Sequence, residues 1–155
     1  MSDDPTPAKL RRTSRSLPIA LLRAREVVMA PIREMLAQSD INEQKWRVLR
    51  VLDEEGPREM SDVAQAACLM LPSLTRISRA MAKDGLIART ADRADGRKAI
   101  LSITAAGRRL ILAHTATSNA IFARLEALYG HDRLEQLLDL LDALRRIDLE
   151  QKDRR

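Results

Sequence analysis

The chain has 155 residues, enough for one domain or for one domain with an added dimerisation arm. Aromatic residues make up 2% of a chain that is 45% hydrophobic, so the core must be aliphatic; that favours helices and argues against the stacking platforms of single-strand binders. The net charge is +5, the single cysteine excludes an intrachain disulfide, and no apolar run approaches the ~20 residues of a membrane span, so a cytoplasmic protein with no membrane role is expected.

Residues 1–16 are polar, with two prolines and four bases, and read as a disordered arm. A long helix is predicted from about Pro18 to Gln38. Leu21, Val28, Ile32 and Met35 form one stripe along it. Pro31 lies inside the stripe and removes a backbone hydrogen bond, which predicts either a kink or two separate helices. Asn42 is placed to cap the next helix, which carries Trp46, Leu49 and Leu52 and ends at Gly56-Pro57. A short helix then starts near Met60-Ser61. Ser61 is its expected cap, and Val63, Ala64, Ala67 and Cys68 are its expected apolar face.

The stretch from Leu71 to Gly85 follows after about three residues. Pro72 suits a first helical turn. Leu74, Ile77 and Met81 recur at helical spacing, and Gly85 suits the stop. Ser73, Thr75, Arg76 and Arg79 fall largely on the opposite face, with no carboxylate before Asp84. Hydroxyls and guanidiniums on one face suit phosphate oxygens and the acceptor edge of guanine in a major groove. Two short helices with a tight connection, the second one basic, form a helix-turn-helix pattern.

Leu86–Arg89 and Ala99–Ile103 read as two short strands around a turn-rich stretch, hence a hairpin. Its tip holds Arg93, Arg97 and Lys98 as DNA-binding candidates, and Arg93 or Arg97 would reach a minor groove or its phosphates. Residues 71–98 carry seven Lys/Arg and three acids, whereas residues 110–155 carry seven bases and eight acids. The positive field is therefore concentrated on the basic helix and hairpin, as expected for contact with double-stranded DNA.

Thr104 is the expected cap of a helix over 105–129, broken by Gly130-His131. A last helix over about 132–149 carries Leu134, Leu137, Leu138, Leu141 and Leu144 as one stripe. Little chain remains to cover it. The reading is that the two chain ends pair in a homodimer; packing within one chain is the alternative. The expected fold class is thus mainly α: a winged helix-turn-helix over 41–103 with a two-stranded wing, and a helical dimerisation region from 17–40 and 104–150.

The order of elements resembles the MarR family of bacterial transcription regulators. The most telling residues are Asp84-Gly85-Leu86-Ile87, then Asp95-Gly96-Arg97-Lys98, then Leu101-Ser102-Ile103-Thr104 and Gly107; Ile103 stands where leucine is usual. Further segments, among them Glu43-Gln44-Lys45-Trp46-Arg47 and Ala67-Cys68-Leu69-Met70-Leu71-Pro72, resemble a subgroup that governs aromatic catabolism. The resemblance implies a homodimeric repressor on a pseudo-palindromic operator, released by a small aromatic acid. It also implies that Asp95 braces Arg97 within the wing; plain turn chemistry at Asp95-Gly96 is the alternative. Ser61 is either a phosphate contact or a simple cap.

An effector wedged between arms and reading heads would alter the spacing of the two recognition helices. Leu22, Arg23, Trp46 and Arg50 are the residues expected there, since an arginine and an aromatic wall suit an aromatic carboxylate. Trp46 equally suits a core position, and Arg23 and Arg50 equally suit surface salt bridges. No cofactor, metal set or catalytic constellation is expected: His114, His131 and Cys68 have no metal-ligand spacing, and phosphate-binding glycine motifs are lacking. Two rival functions stay open, a redox-responsive regulator acting through Cys68 and a winged-helix module for protein contacts. Cys68 itself reads as a small buried hydrophobe.

Overall fold

The computed structural model describes residues 12–148. Most of the expected arm, residues 1–11, lies outside them, and the last helix stops at Arg145, short of the expected 149. Within the arm, Thr13–Arg15 form one 3-10 turn rather than disordered chain.

Helix α1 (Leu17–Ala37) is continuous, with Pro18 in its first turn and Pro31 inside it, so the split into two helices does not occur. Only its C-terminal part is buried, through Ile32, Met35 and Leu36. Helix α2 (Glu43–Glu55) starts as expected: Asn42 Oδ1 accepts from the Lys45 amide at 2.9 Å. Its buried side chains Trp46, Val48, Leu49 and Leu52 form the centre of the head. A network of Arg25, Glu26, Arg33 and Glu43 ties α1 to α2, with Arg33 Nη1 donating to Glu43 Oε1 at 2.9 Å.

Arg58–Glu59 form a two-residue strand β1 that sequence periodicity did not show. It leads into α3 (Met60–Ala66), whose N-cap is Glu59. Ser61 therefore sits inside the helix and does not cap it, a correction with a simple cause: the backbone turns helical as soon as the strand ends. Helix α4 (Leu71–Lys83) buries Leu74, Ile77, Ser78 and Met81. Gly85 follows it at φ +72, the left-handed backbone that glycine adopts without steric penalty.

Strands β2 (Ile87–Ala91) and β3 (Ala99–Ile103) pair antiparallel, Ile87 opposite Ile103 and Ala91 opposite Ala99. Strand β1 adds to the far edge of β3, with Arg58 opposite Leu101, so the sheet order is β1-β3-β2. The wing is thus a three-stranded sheet rather than a bare hairpin. Helix α5 (Ala105–Tyr129) begins at Thr104, whose hydroxyl oxygen accepts from the Gly107 amide at 3.1 Å and donates to the Gly85 carbonyl at 2.7 Å. Helix α6 (His131–Arg145) closes the described chain and buries no residue.

Among the described residues no helix is long and apolar enough to cross a membrane. The core joins Met35 and Leu36 of α1 with Leu49 and Leu52 of α2, Val63 of α3, Leu74 and Met81 of α4, and Leu101 of β3. At roughly 25 cal/mol per Å² of apolar surface removed from water, this aliphatic cluster is what holds α4 in place.

Candidate nucleic-acid interface

Helix α4 divides sharply. Its buried residues recur at Leu74, Ile77, Ser78 and Met81, and this sets Arg76 and Arg79 out in solvent on the other side. Neither arginine is in an ion pair with another described residue. Ser73 is half-buried. Thr75 is also half-buried, and its hydroxyl donates to the Leu71 carbonyl at 2.9 Å, so that proton is committed within the helix. The helix C-terminus is held from outside, Lys45 Nζ lying 3.3 Å from Asp84 Oδ2.

Sequence reasoning overlooked the tip of this helix. Met70 is 76% exposed and Leu71 is 49% exposed. Apolar side chains at the leading end of a groove-reading helix suit the methyl group of thymine. The available signal was the run Leu69-Met70-Leu71 beside a proline, with more apolar residues than a turn core can bury.

Cys68 was expected to be buried, and the structure corrects this: it is exposed, in the turn between α3 and α4, at φ +51. Ala67 takes the buried position at the end of α3, and the chain reverses one residue later.

The wing tip is built by two aspartates. Asp92 Oδ1 accepts from the Ala94 amide at 3.1 Å, and Asp95 Oδ1 accepts from the Arg97 amide at 3.0 Å. Asp95 therefore fixes Arg97 through its backbone, which is turn chemistry, and makes no ion pair with its guanidinium. Arg93 and Arg97 are exposed. Lys98 folds back instead: its Nζ lies 3.1 Å from Glu59 Oε1 on β1, and that carboxylate raises the lysine above its ordinary value.

Between the wing root and α4 runs a cleft of about 300 Å³, lined among others by Glu59, Ser61, Thr75, Arg89, Arg97 and Lys98. The structure thus brings Ser61, Thr75, Arg97 and Lys98 to one place, together with Arg89, another of the seven bases of residues 71–98. Arg89 is half-buried, with Nη2 3.9 Å from Met60 Sδ.

The four residues expected around an effector are more scattered in their contacts. Trp46 takes the core position, 8% exposed, edge-on to the buried His114 with ring centroids 5.8 Å apart. A His114 ring nitrogen lies 2.8 Å from Ser39 Oγ, so α2, α5 and the turn after α1 meet at this pair. Arg50 is exposed and paired with Glu54 one turn along α2. Leu22 and Arg23 stand exposed on the N-terminal half of α1. A larger cavity of about 440 Å³ lies at the junction of α1 and α2, lined by Arg33, Leu36, Ile41 and Glu43 among others and by none of these four.

A helix with a bare basic face, reached from a short helix by a tight turn and flanked by a basic β-wing, defines a winged helix-turn-helix DNA-binding regulator. The model described as MarR family matches residues 41–99. Over 127 residues the chain is 35% identical to the homoprotocatechuate degradative operon repressor of Escherichia coli, covering 82% of this chain and 86% of that one. The chain belongs to the MarR family. Its fold is similar to that of NadR, solved in complex with 4-hydroxyphenylacetate, at a TM-score of 0.79 and 33% identity over 92% of this chain and 100% of that one. It is also similar to CouR, a transcriptional repressor solved on a 23-mer DNA duplex, at a TM-score of 0.73 and 27% identity over 91% of this chain and 100% of that one.

Proposed function

We propose that this regulator is a repressor that binds a pseudo-palindromic operator as a homodimer, lets go when a small aromatic acid binds, and controls an aromatic-catabolism operon. The observation that carries the reading is the arrangement of cations on α4 and the wing: Arg76 and Arg79 exposed on the helix, Arg93 and Arg97 exposed on the wing. In this reading residues 41–103 are the reading head, while 17–40 and 104–150 are the pairing arms. Arg76 and Arg79 contact guanine edges with Ser73 and Thr75 beside them. Arg93 and Arg97 follow the minor groove, and Asp95 keeps the wing tip in shape.

A homodimer accounts for the apolar side chains that the single chain leaves in water. Leu137, Leu138 and Leu141, on one side of α6, are 37%, 51% and 37% exposed, and Leu17 and Leu21, one turn apart on α1, are 53% and 41% exposed. Contiguous exposed leucines on a helix mark a face that another chain covers. The aromatic-acid reading is supported by the relatives: the homoprotocatechuate operon repressor by its name, and NadR by its bound 4-hydroxyphenylacetate. For that ligand we keep Leu22, Arg23 and Arg50, which stand exposed, as the contacts, its carboxylate competing with Glu54 for Arg50, whereas Trp46 belongs to the core.

The test is a fluorescence-anisotropy titration on duplexes tiling the region upstream of the protein's own reading frame, with and without 4-hydroxyphenylacetate. Tight binding to one duplex, weakened by the acid, is expected, with the Arg23→Ala/Arg50→Ala double variant binding DNA but no longer responding. Equal affinity for every duplex would overturn the operator reading. An unchanged response in the double variant would remove both arginines from the effector site.

A further inference from the structure

We propose that the cleft between the wing root and α4 is a seat for one backbone phosphodiester of duplex DNA, with Arg89 as its main donor. The proposal rests on the DNA-binding reading and assigns to it a site and a residue that neither the recognition-helix nor the wing-tip argument supplies.

Three cations, Arg89, Arg97 and Lys98, line the cleft against one carboxylate, Glu59. That carboxylate is already engaged by Lys98 Nζ at 3.1 Å, so its charge is locally met and the two guanidiniums remain uncompensated. Among the described residues Arg89 is in no ion pair, and its one side-chain hydrogen bond is to the thioether of Met60, a weak acceptor. A half-buried guanidinium with five donors and no anion is an unfavourable arrangement unless an anion arrives. Its backbone is fixed in the sheet opposite Leu101, and its side chain is half-buried, so the guanidinium starts from a restricted position. Ser61 adds a hydroxyl with no partner among the described residues, whereas Thr75 has given its proton to Leu71 and can only accept. Donors thus come from α3 (Ser61), strand β2 (Arg89) and the turn between β2 and β3 (Arg97). That convergence of donors, with no lining carboxylate left free, fits the several oxygens of a phosphodiester.

A site of this kind positions the protein without reading sequence. The experiment is an anisotropy titration of a fluorescein-labelled duplex of mixed sequence over a series of salt concentrations. Arg89→Gln is expected to weaken binding about tenfold and to flatten the slope of log affinity against log salt by about 0.9, one phosphate contact's worth. Arg89→Lys should keep the wild-type slope, and Ser61→Ala should weaken binding with the slope unchanged. Circular dichroism on each variant guards against misfolding, and Ser61→Ala tests the cleft even if Arg89→Gln does not fold. Wild-type slope and affinity in Arg89→Gln, beside clear loss in Arg76→Ala, would overturn the phosphate seat and leave DNA binding standing. Absence of salt-dependent duplex binding by the wild type would overturn both.

Discussion

Gly107 lies so close to Leu86 that a Cβ built on it would stand 2.3 Å from the Leu86 carbonyl oxygen and 2.8 Å from Ile103 Cγ1. The first turn of α5 is thereby pressed onto the start of the wing. Thr104 works at the same joint, its hydroxyl linking the Gly85 carbonyl to the Gly107 amide. The arm helix and the end of the recognition helix therefore share one rigid junction. Gly to Ala inside a helix ordinarily stabilises by roughly 0.5–1 kcal/mol. Here the obstacle is backbone, which cannot step aside as a side-chain tip can, and overpacking of this kind costs about 1–3 kcal/mol. Gly107→Ala is therefore expected to destabilise, read as a lower urea midpoint at unchanged m-value. A rise in the midpoint would show that the joint yields.

Cys68 gives the opposite sign. It holds φ +51 in water, at the turn between α3 and α4. A left-handed backbone costs a residue with a Cβ roughly 1–2 kcal/mol, and glycine's freedom in the unfolded chain costs about 0.5–1 kcal/mol. Cys68→Gly should therefore stabilise by ~0.5–1 kcal/mol. A thermal midpoint lowered by the substitution would mean that the thiol makes a contact worth more than this strain.

What the sequence made legible was whatever carries a period or a cap. The buried stripe of α4, the Asn42 and Thr104 caps, and the Gly85 stop all follow from spacing and local hydrogen bonding, and each stands where it was expected. Strand β1 was not legible, because two residues show no alternation and Arg58-Glu59 pair with a strand some forty positions on. That unseen strand is also why Ser61 lost its role as a cap. Cys68 was misread because helical periodicity was carried one residue past the point where the backbone reverses. Arg89 and His114 depend on partners from distant elements, Met60 and Ser39, which no local pattern encodes. The basic face was legible; the cleft behind it was not.

Acid should loosen the joint between α1 and α2. The hydrogen bond from Arg33, helped by Arg25 and opposed by burial, holds the Glu43 carboxyl below its ordinary value. A carboxyl depressed in the native state contributes its stability above the unfolded value of about 4.3 and loses it as pH falls through the lower native one. Glu43→Gln should thus be less stable than the wild type at neutral pH, and the gap should close below about pH 4. Both arginines stand partly in water, which keeps the gap to about 1 kcal/mol or less and makes it shrink in high salt. Thermal midpoints of the two proteins across this range measure it. A gap that persists at low pH would mean that Glu43 acts through packing rather than charge.

The leucine face of α6 is the place to separate the two fates of the arms. Leu137 and Leu141 are each 37% exposed, and α6 buries no residue within the chain, so their loss should disturb the single chain little. In a dimer the two positions on each chain become four buried leucines. At roughly 1 kcal/mol for each half-burial, replacing them removes about 4 kcal/mol, a factor near 10³ in dimer affinity, before the desolvation of four carboxylates is added. Leu137→Glu/Leu141→Glu should therefore sediment as a folded monomer with wild-type helix content. Its affinity for an operator should fall as well, since two heads must be joined to meet half-sites ~34 Å apart. A variant that unfolds would assign these leucines to the chain's own core. A variant that stays dimeric would move the interface to another face.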